Sequence, residues 1–200
     1  MALKTIVKVG SITNLSDARY CAGMGVEMLG FVIDPSHEFY LPATHYNEII
    51  QWVSGVTMVG EMNDKLESFE AYKQFDILQI SDGALLNKAK EVVSRVILSV
   101  DLIKQSLSSV LIEFPEADYY LLQHSEDIID DDHLLNFRQY GKEHQLILGF
   151  GINPENINRI VDSGIFNGVE LKGSAEITPG FKDYNELADI LEILEIENET

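Results

Sequence analysis

The hydrophobic pattern of this chain alternates between short apolar runs and longer amphipathic stretches. The runs "MLGFVI", "RVILSV" and "QLILGF" are continuously apolar, which is typical of strands covered on both faces, as in parallel sheets. We predict strands near 3–9, 27–33, 56–62, 76–80, 95–100, 118–122, 145–149 and 167–171. Helical periodicity predicts helices over 14–24, 43–54, 64–74, 83–93, 102–113, 131–143, 153–163 and 184–196.

The strict alternation of strands and helices predicts a parallel sheet with right-handed crossovers. Eight such units favour an α/β fold of the single (β/α)8 TIM-barrel type, although 200 residues is near its lower limit. We expect this barrel domain to span 1–197, followed by an acidic tail over 198–200. A flavodoxin-like doubly wound sheet is the alternative, and in both folds ligands bind at the carboxyl ends of the strands.

The net charge of the chain limits the classes of molecule that it is expected to bind. With 14 basic and 33 acidic residues the formal net charge is −19, which disfavours nucleic acid and anionic membranes. No stretch reaches the roughly 18 apolar residues that a bilayer-spanning helix needs. The single cysteine, Cys21, falls in the first predicted helix, where it is expected to be a buried apolar residue, and its isolation fits the reducing cytoplasm. The expected partner is a small molecule, and the oligomeric state stays open.

The loops after the seventh and eighth strands indicate an anion site. "GFGIN" places Gly151 and Asn153 at the start of a capped helix, and Lys172, Gly173 and Ser174 follow the eighth strand. In barrels these two loops often hold phosphate with backbone N–H groups and a helix N-terminus. A plain tight turn is the other interpretation of the glycine-bearing segment. We therefore predict a small phosphorylated metabolite as the ligand.

Titratable side chains also follow several strands. His124 follows the sixth strand and is a candidate acid or base, because its reference pKa lies near neutrality, and His37 is a similar candidate. Asp34, Asp82 and Asp101 are candidate acids, although an acidic chain places some carboxylates at strand ends by chance. The five histidines form no paired metal-binding motif. No metal and no cofactor are expected.

Several motifs resemble one known family along nearly the whole chain. They are "ITNLSDARYCAGMGVEMLGFV", Pro35 and Tyr40 in the next loop, "VGEMN", "LQIS", "GFGINPENI" and "VELKGSAEITPGFKD". They resemble phosphoribosylanthranilate isomerase, a tryptophan-biosynthesis barrel that performs an Amadori rearrangement. The resemblance implies the barrel fold, a phosphate site and that isomerase role.

The same resemblance places two departures at the catalytic positions. The family uses a cysteine base in a K-I-C-G-I-T pattern, and alignment on Ile12-Thr13 puts Gly10 there and Ser11 after it. The family's acid lies in an L-L-D pattern, and alignment on Leu121-Leu122 puts Gln123 there. Neither glycine nor glutamine supplies a titratable group. We therefore expect the family reaction to be lost or altered.

The substrate-binding residues that the resemblance implies are altered as well. Phe39 lies at about the position of the family's arginine, Ser81 at that of a histidine, and Lys172-Gly173 at that of two serines. The matching positions that survive are Asn63, Gln79, Gly151 and Asn153. These matches and departures suggest that the anion pocket is retained while the groups that catalyse the family's reaction are absent.

Three functions remain open on this evidence. The first is an active isomerase with relocated groups, His124 as the acid and Asp34 or Glu170 as the base. The second is a non-enzymatic regulator that binds a metabolite or a protein. The third is an enzyme of the same fold acting on another sugar phosphate. We favour loss or change of the isomerase activity.

Overall fold

The computed structural model describes residues 2–62, 71–72, 74–126, 128–172, 176–178, 181–182 and 185–196. Eight parallel strands close into a barrel in chain order, which confirms the predicted (β/α)8 architecture. The strands are β1 (Ile6–Gly10), β2 (Met28–Val32), β3 (Thr57–Met62), β4 (Ile77–Ile80), β5 (Arg95–Asp101), β6 (Tyr119–Gln123), β7 (Leu146–Leu148) and β8 (Gly168–Lys172). The doubly wound alternative is wrong, since β1 pairs with both β2 and β8 and thereby closes the sheet.

The helices are shorter than the hydrophobic periodicity predicts. They are α1 (Leu15–Gly23), α2 (Ala43–Ile49), α3 (Leu86–Val92), α4 (Leu107–Glu113), α5 (Asp131–Arg138), α6 (Ile157–Asp162) and α7 (Asn185–Leu194). Side-chain caps explain two of the late starts. Ser106 caps α4 after a separate turn at Asp101, and Asn153 first closes a turn in which its side chain accepts from the N–H groups of Glu155 and Asn156. Most of the predicted helix 64–74 lies outside the described residues.

The barrel strands bury two separate apolar clusters. One face of each strand packs against the helices in the larger cluster, as Val7, Val9, Leu29 and Phe31 do. The opposite face forms a smaller cluster inside the barrel, which we call the apolar layer. Its buried members are Met28, Val59, Ile77, Ile97, Leu121 and Ile147. Burial on both faces explains why the strands read as continuous apolar runs.

Side chains alternate along a strand, so the residue two positions after each member of the apolar layer points the same way, nearer the carboxyl end. Those residues are Gly30, Glu61, Gln79, Ser99, Gln123 and Gly149. The side chains that point into the barrel thus change from apolar to mostly polar over two residues along each strand. This second layer is where the fold places the candidate site.

Two features lie at the end of the chain. After β8 a small antiparallel pair forms from β9 (Glu176–Thr178) and β10 (Phe181–Lys182), which the sequence pattern did not predict. The predicted tail over 198–200 lies outside the described residues, and the domain span 1–197 stays a prediction. Among the described residues, no helix combines the length and apolar character needed to cross a membrane.

Candidate functional site

A cavity of about 190 Å³ opens at the carboxyl ends of the barrel strands, and we call it the barrel-mouth cavity. Nine of its lining residues come from seven strands, β1 to β6 and β8, so a single ligand would contact most of the barrel. The lining is mostly polar and consists of Gly10, Ser11, Val32, His37, Glu61, Met62, Gln79, Ser81, Ser99, Gln123, Glu170 and Lys172. This is the end of the barrel at which the sequence predicted a ligand.

A buried ion network forms the base of the cavity. Lys8 on β1 has no exposed surface, and its Nζ contacts both Glu61 Oε1 on β3 and Glu170 Oε1 on β8. The strand register explains one of these contacts, because Lys8 and Glu170 are direct neighbours across β1 and β8. Both carboxylates are themselves at least nine-tenths buried.

The electrostatics of the network keep Lys8 charged. Burial alone lowers the pKa of the Lys8 ammonium, but the charges of Glu170 and Glu61, together with hydrogen bonds to both, outweigh burial and raise it above its ordinary value. A lysine in this state is a permanent cation at neutral pH. It therefore does not act as a neutral amine nucleophile, which would require a lowered pKa.

Glycine at two positions leaves room for the network. A Cβ on Gly30 would lie 1.9 Å from Glu61 Oε1, which is impossible without moving that carboxylate. A Cβ on Gly10 would lie 3.0 Å from Glu61 Oε1 and 3.2 Å from Glu170 Oε1, a close but less severe approach. The carboxylates thus occupy space that side chains at these positions would need.

The end of β1 also holds a backbone donor toward the network. Ser11 adopts a left-handed φ of 56°, which is uncommon outside glycine, and its N–H donates to Glu61 Oε2 at 3.1 Å. Glu61 therefore has both oxygens occupied, one by Lys8 and one by Ser11. This turn fixes the side of the cavity that Gly10 and Ser11 line.

Two residues of the cavity lining each carry a buried side-chain oxygen with no hydrogen-bond donor among the described residues. The two oxygens are Glu170 Oε2 and Gln79 Oε1, and both atoms are buried. Buried polar atoms are normally paired, so two such acceptors on lining residues of one cavity are unusual.

The structure places the proposed acid His124 and the proposed base Asp34 away from the cavity lining. His124 Nδ1 accepts from the N–H of Glu126 at 3.0 Å, and its ring packs 5.5 Å from the Phe150 ring. Asp34 Oδ1 accepts from the N–H and the hydroxyl of Ser36 at 2.9 and 2.7 Å. Both side chains stabilise local turns.

Of the other acid–base candidates from the sequence, Glu170 and His37 do line the cavity. His37 Nδ1 accepts from the N–H of Phe39 at 3.1 Å. Glu170 is the carboxylate that combines a place in the wall with an oxygen lacking a donor in the described structure.

The predicted phosphate residues are only partly brought together. Lys172 and Gln79 line the cavity, whereas Gly151 and Asn153 lie outside its lining, and Gly173 and Ser174 lie outside the described residues. Gly151 has a φ of 66°, and a Cβ there would lie 2.5 Å from the Ile129 nitrogen, so this position requires glycine. The Asn153 N–H donates to Asn156 Oδ1 at 2.9 Å. The phosphate site stays a prediction.

Sequence reasoning missed the role of Lys8, although a signal was present. Lys8 interrupts the apolar run "TIVKVG", and Glu61 and Glu170 interrupt the apolar strands "VTMVGEM" and "GVEL". A charge inside a strand covered on both faces must find an opposite charge, because an isolated buried charge is too costly. Three such interruptions of mixed sign predict a network. Among the described residues, no group of three or more His, Cys, Asp or Glu side chains forms a metal site.

Comparisons with known proteins agree with the barrel fold. No family model matches the chain. N-(5'-phosphoribosyl)anthranilate isomerase of Petrotoga mobilis is 27% identical over 88% of this chain and 90% of its own length, and the Aquifex aeolicus protein is 25% identical over 92% and 96%. The chain is a phosphoribosylanthranilate isomerase-like barrel. The Thermotoga maritima isomerase structure matches with a TM-score of 0.79 at 24% identity, covering 94% of this chain and 97% of that one. A further isomerase structure, with reduced 1-(o-carboxyphenylamino)-1-deoxyribulose 5-phosphate bound, matches with a TM-score of 0.76.

In this phosphoribosylanthranilate isomerase-like barrel, the two positions that the sequence resemblance aligns with the family's cysteine and aspartate both line the cavity. Gly10 ends β1 and Gln123 ends β6. Their backbone positions therefore belong to the site, and what differs is the side chain. The cavity at the carboxyl ends of the strands is present, but positions 10 and 123 carry neither a thiol nor a carboxyl group.

Proposed function

We propose that this phosphoribosylanthranilate isomerase-like barrel binds a small phosphorylated metabolite at its mouth and does not catalyse the isomerisation of its relatives. The observation that carries the proposal is the position of Gly10 and Gln123 in the wall of the cavity. A general acid or base contributes about 10²- to 10⁴-fold to a rate. Loss of both groups at positions that still face the ligand removes most of the catalysis without removing the pocket.

The phosphorylated ligand is supported by Lys172 and by the family. Lys172 is an exposed cation in the cavity rim, next to Gly10 across the pairing of β1 with β8. A related structure holds a phosphorylated compound. A protein with a net charge of −19 repels anions at long range, so a local cation at the site is needed.

A second candidate function is an isomerase with a relocated base. The observation that favours it is Glu170, a carboxylate residue of the cavity lining whose Oε2 receives no donor from the described residues. In this alternative Glu170 would abstract the proton that the family's cysteine takes. The two candidates differ in whether the unmodified chain turns over the substrate.

Growth of a tryptophan auxotroph that lacks phosphoribosylanthranilate isomerase separates these candidates. We expect no growth with the unmodified chain. We expect partial growth with the Gly10→Cys/Gln123→Asp variant when Glu61→Ala is added, because a Cβ at position 10 lies only 3.0 Å from Glu61 Oε1. The matched control replaces Gln123→Asp with Gln139→Asp, at an exposed glutamine on the surface. Growth with the unmodified chain would overturn the proposal, and loss of that growth in Glu170→Gln would establish the relocated base.

The binding half of the proposal has its own measurement. Calorimetry with inorganic phosphate and with the reduced deoxyribulose 5-phosphate compound should show binding to the unmodified chain, weakened by Lys172→Met. Charge-assisted hydrogen bonds to phosphate are about twice as strong as neutral ones, so roughly a tenfold loss is expected. Equal binding by Lys172→Met would show that Lys172 does not contribute to anion binding.

A further inference from the structure

The wall of the barrel-mouth cavity beyond Lys172 contains two neutral polar side chains. Ser99 on β5 and Gln123 on β6 both belong to the cavity lining. Because the strands close in chain order, β6 and β5 lie two and three strands from β8, which carries Lys172. A ligand whose phosphate is held at Lys172 therefore extends across the mouth toward these two side chains.

Ser99 is a buried hydroxyl that opens onto the cavity. The residue is only 6% exposed, and it lies two positions after Ile97 of the apolar layer, so its side chain points into the barrel. Its Oγ makes no hydrogen bond within the described part of the chain, yet it is not among the unpaired oxygens that are sealed from solvent. Buried hydroxyls are normally paired, so Ser99 Oγ is available to a ligand.

Gln123 extends the same neutral surface toward the mouth of the cavity. Its register neighbour on β5 is Asp101, which lies two residues after Ser99. The amide of Gln123 and the hydroxyl of Ser99 each combine donor and acceptor capacity, as does a hydroxyl group on a ligand. The two side chains therefore match a neutral group that carries hydroxyls.

Another part of the lining disfavours a carboxylate on the ligand. Glu61 and Glu170 both line the cavity, and the single Lys8 ammonium is shared between them. Lys8 has no exposed surface, and the Ser11 N–H already donates to Glu61, so neither donor is available to a further anion. Like charges brought together where water is excluded are strongly unfavourable, which selects against a ligand carboxylate.

We propose that the barrel-mouth cavity selects phosphorylated compounds that carry neutral hydroxyl groups and no carboxylate, with the hydroxyls bound by Ser99 and Gln123. This inference rests on the proposed function and adds the chemical class of its ligand, a short polyol or sugar phosphate. Lys172 holds the phosphate, and Glu61 with Glu170 repels carboxylates. A phosphate compound that carries a carboxylate still binds through its phosphate, but more weakly.

Three phosphates of equal carbon chain length test the proposal. Glycerol 3-phosphate carries two hydroxyl groups, propyl phosphate carries none, and 3-phosphoglycerate has a carboxylate where glycerol 3-phosphate has a hydroxymethyl group. Calorimetric titration of the full chain at low salt should show glycerol 3-phosphate binding roughly five- to tenfold more tightly than propyl phosphate, the gain of one or two neutral hydrogen bonds. The carboxylate compound should bind roughly tenfold more weakly than glycerol 3-phosphate.

Two variants connect this selectivity to the named side chains. Ser99→Ala removes one oxygen and should reduce the preference for glycerol 3-phosphate over propyl phosphate roughly threefold. Its matched control is Ser94→Ala, at an exposed serine that immediately precedes β5 at the opposite end of that strand. Gln123→Leu should have a similar effect, with Gln139→Leu as its exposed control. Binding of inorganic phosphate should stay unchanged in all four variants.

The outcomes distinguish failure of the inference from failure of the proposed function. Equal binding of the three organic phosphates, or a preference that survives in both Ser99→Ala and Gln123→Leu, overturns the inference alone. Tighter binding of 3-phosphoglycerate than of glycerol 3-phosphate also overturns it. Failure of these compounds and of inorganic phosphate to bind overturns the proposed function as well. If Ser99→Ala does not fold, as judged by circular dichroism, an unchanged preference in Gln123→Leu overturns the inference.

Discussion

The interior of this barrel contains two layers, built on the same strands, that follow opposite rules. The apolar layer holds Ile77, Ile97 and Leu121 without any exposed surface, and it buries no charge. Two residues further along those strands lie Gln79, Ser99 and Gln123 in the wall of the cavity. The backbone is the same in both layers, and only the side chains differ.

The difference between the two layers separates residues that stabilise the fold from residues that line the candidate site. The apolar layer gains from removal of apolar surface from water, at about 25 cal/mol per Å². The polar layer instead buries charges, which favour folding only while every partner is present. Glu170 and Gln79 each keep a buried acceptor oxygen without a donor among the described residues, which lowers what this layer contributes to stability. Three substitutions sharpen this contrast.

Removal of the cation should have the largest effect. Lys8→Met leaves Glu61 and Glu170 buried without their shared partner, so we expect the free energy of unfolding to fall by about 3–5 kcal/mol. Urea denaturation followed by circular dichroism measures the loss. The variant that combines Lys8→Met with Glu61→Gln and Glu170→Gln should regain part of it, because no uncompensated charge remains. An equally unstable triple variant would show that shape, and not charge, makes Lys8 necessary.

Filling the space beside the network should have an intermediate effect. Gly30→Ala places a Cβ 1.9 Å from Glu61 Oε1 and forces that carboxylate away from Lys8, so we expect a loss of about 1–3 kcal/mol. Gly23→Ala is the matched control, because nothing lies within 4 Å of its Cβ. Gly23 ends α1, and alanine there should leave stability unchanged or raise it by up to about 1 kcal/mol. Equal thermal midpoints for the two variants would mean that Glu61 has room to move without loss.

A conservative change in the apolar layer should have the smallest effect. Ile97→Val removes one methylene group from a fully buried side chain, for an expected loss of about 0.5–1.5 kcal/mol. The same denaturation experiment measures it. This variant should leave binding of phosphate compounds unchanged, since Ile97 does not line the cavity. A change in binding would show that the two layers are coupled.

Much of the strand architecture could be predicted because burial on both faces gives an unambiguous signal. The run "RVILSV" predicted a strand over 95–100, and β5 spans Arg95–Asp101. Helix ends were less predictable, because a polar surface pattern continues past the last hydrogen-bonded turn. The pattern for 43–54 continues beyond Ile49, where α2 ends. The hairpin of β9 and β10 has strands of three and two residues, which are too short to show a hydrophobic periodicity in the sequence.

The candidate site was predictable in its location and less so in its contents. Because parallel strands present their carboxyl ends together, Gly10, Gln79, Gln123 and Lys172 were expected near one another, and they share one cavity. His124 was expected there as well, since it directly follows β6. It instead accepts a hydrogen bond from the N–H of Glu126, a local turn that strand position alone does not reveal.

The sequence by itself determined the alternation of parallel strands with helices and the absence of a thiol or carboxyl group at Gly10 and Gln123. These are properties of local pattern and residue identity, which need no knowledge of distant contacts. Only the tertiary structure decided that Lys8 is shared by Glu61 and Glu170, residues 53 and 162 positions away along the chain. The physical reason is closure. The buried charge of Lys8 is compensated only when β3 and β8 bring both carboxylates to it.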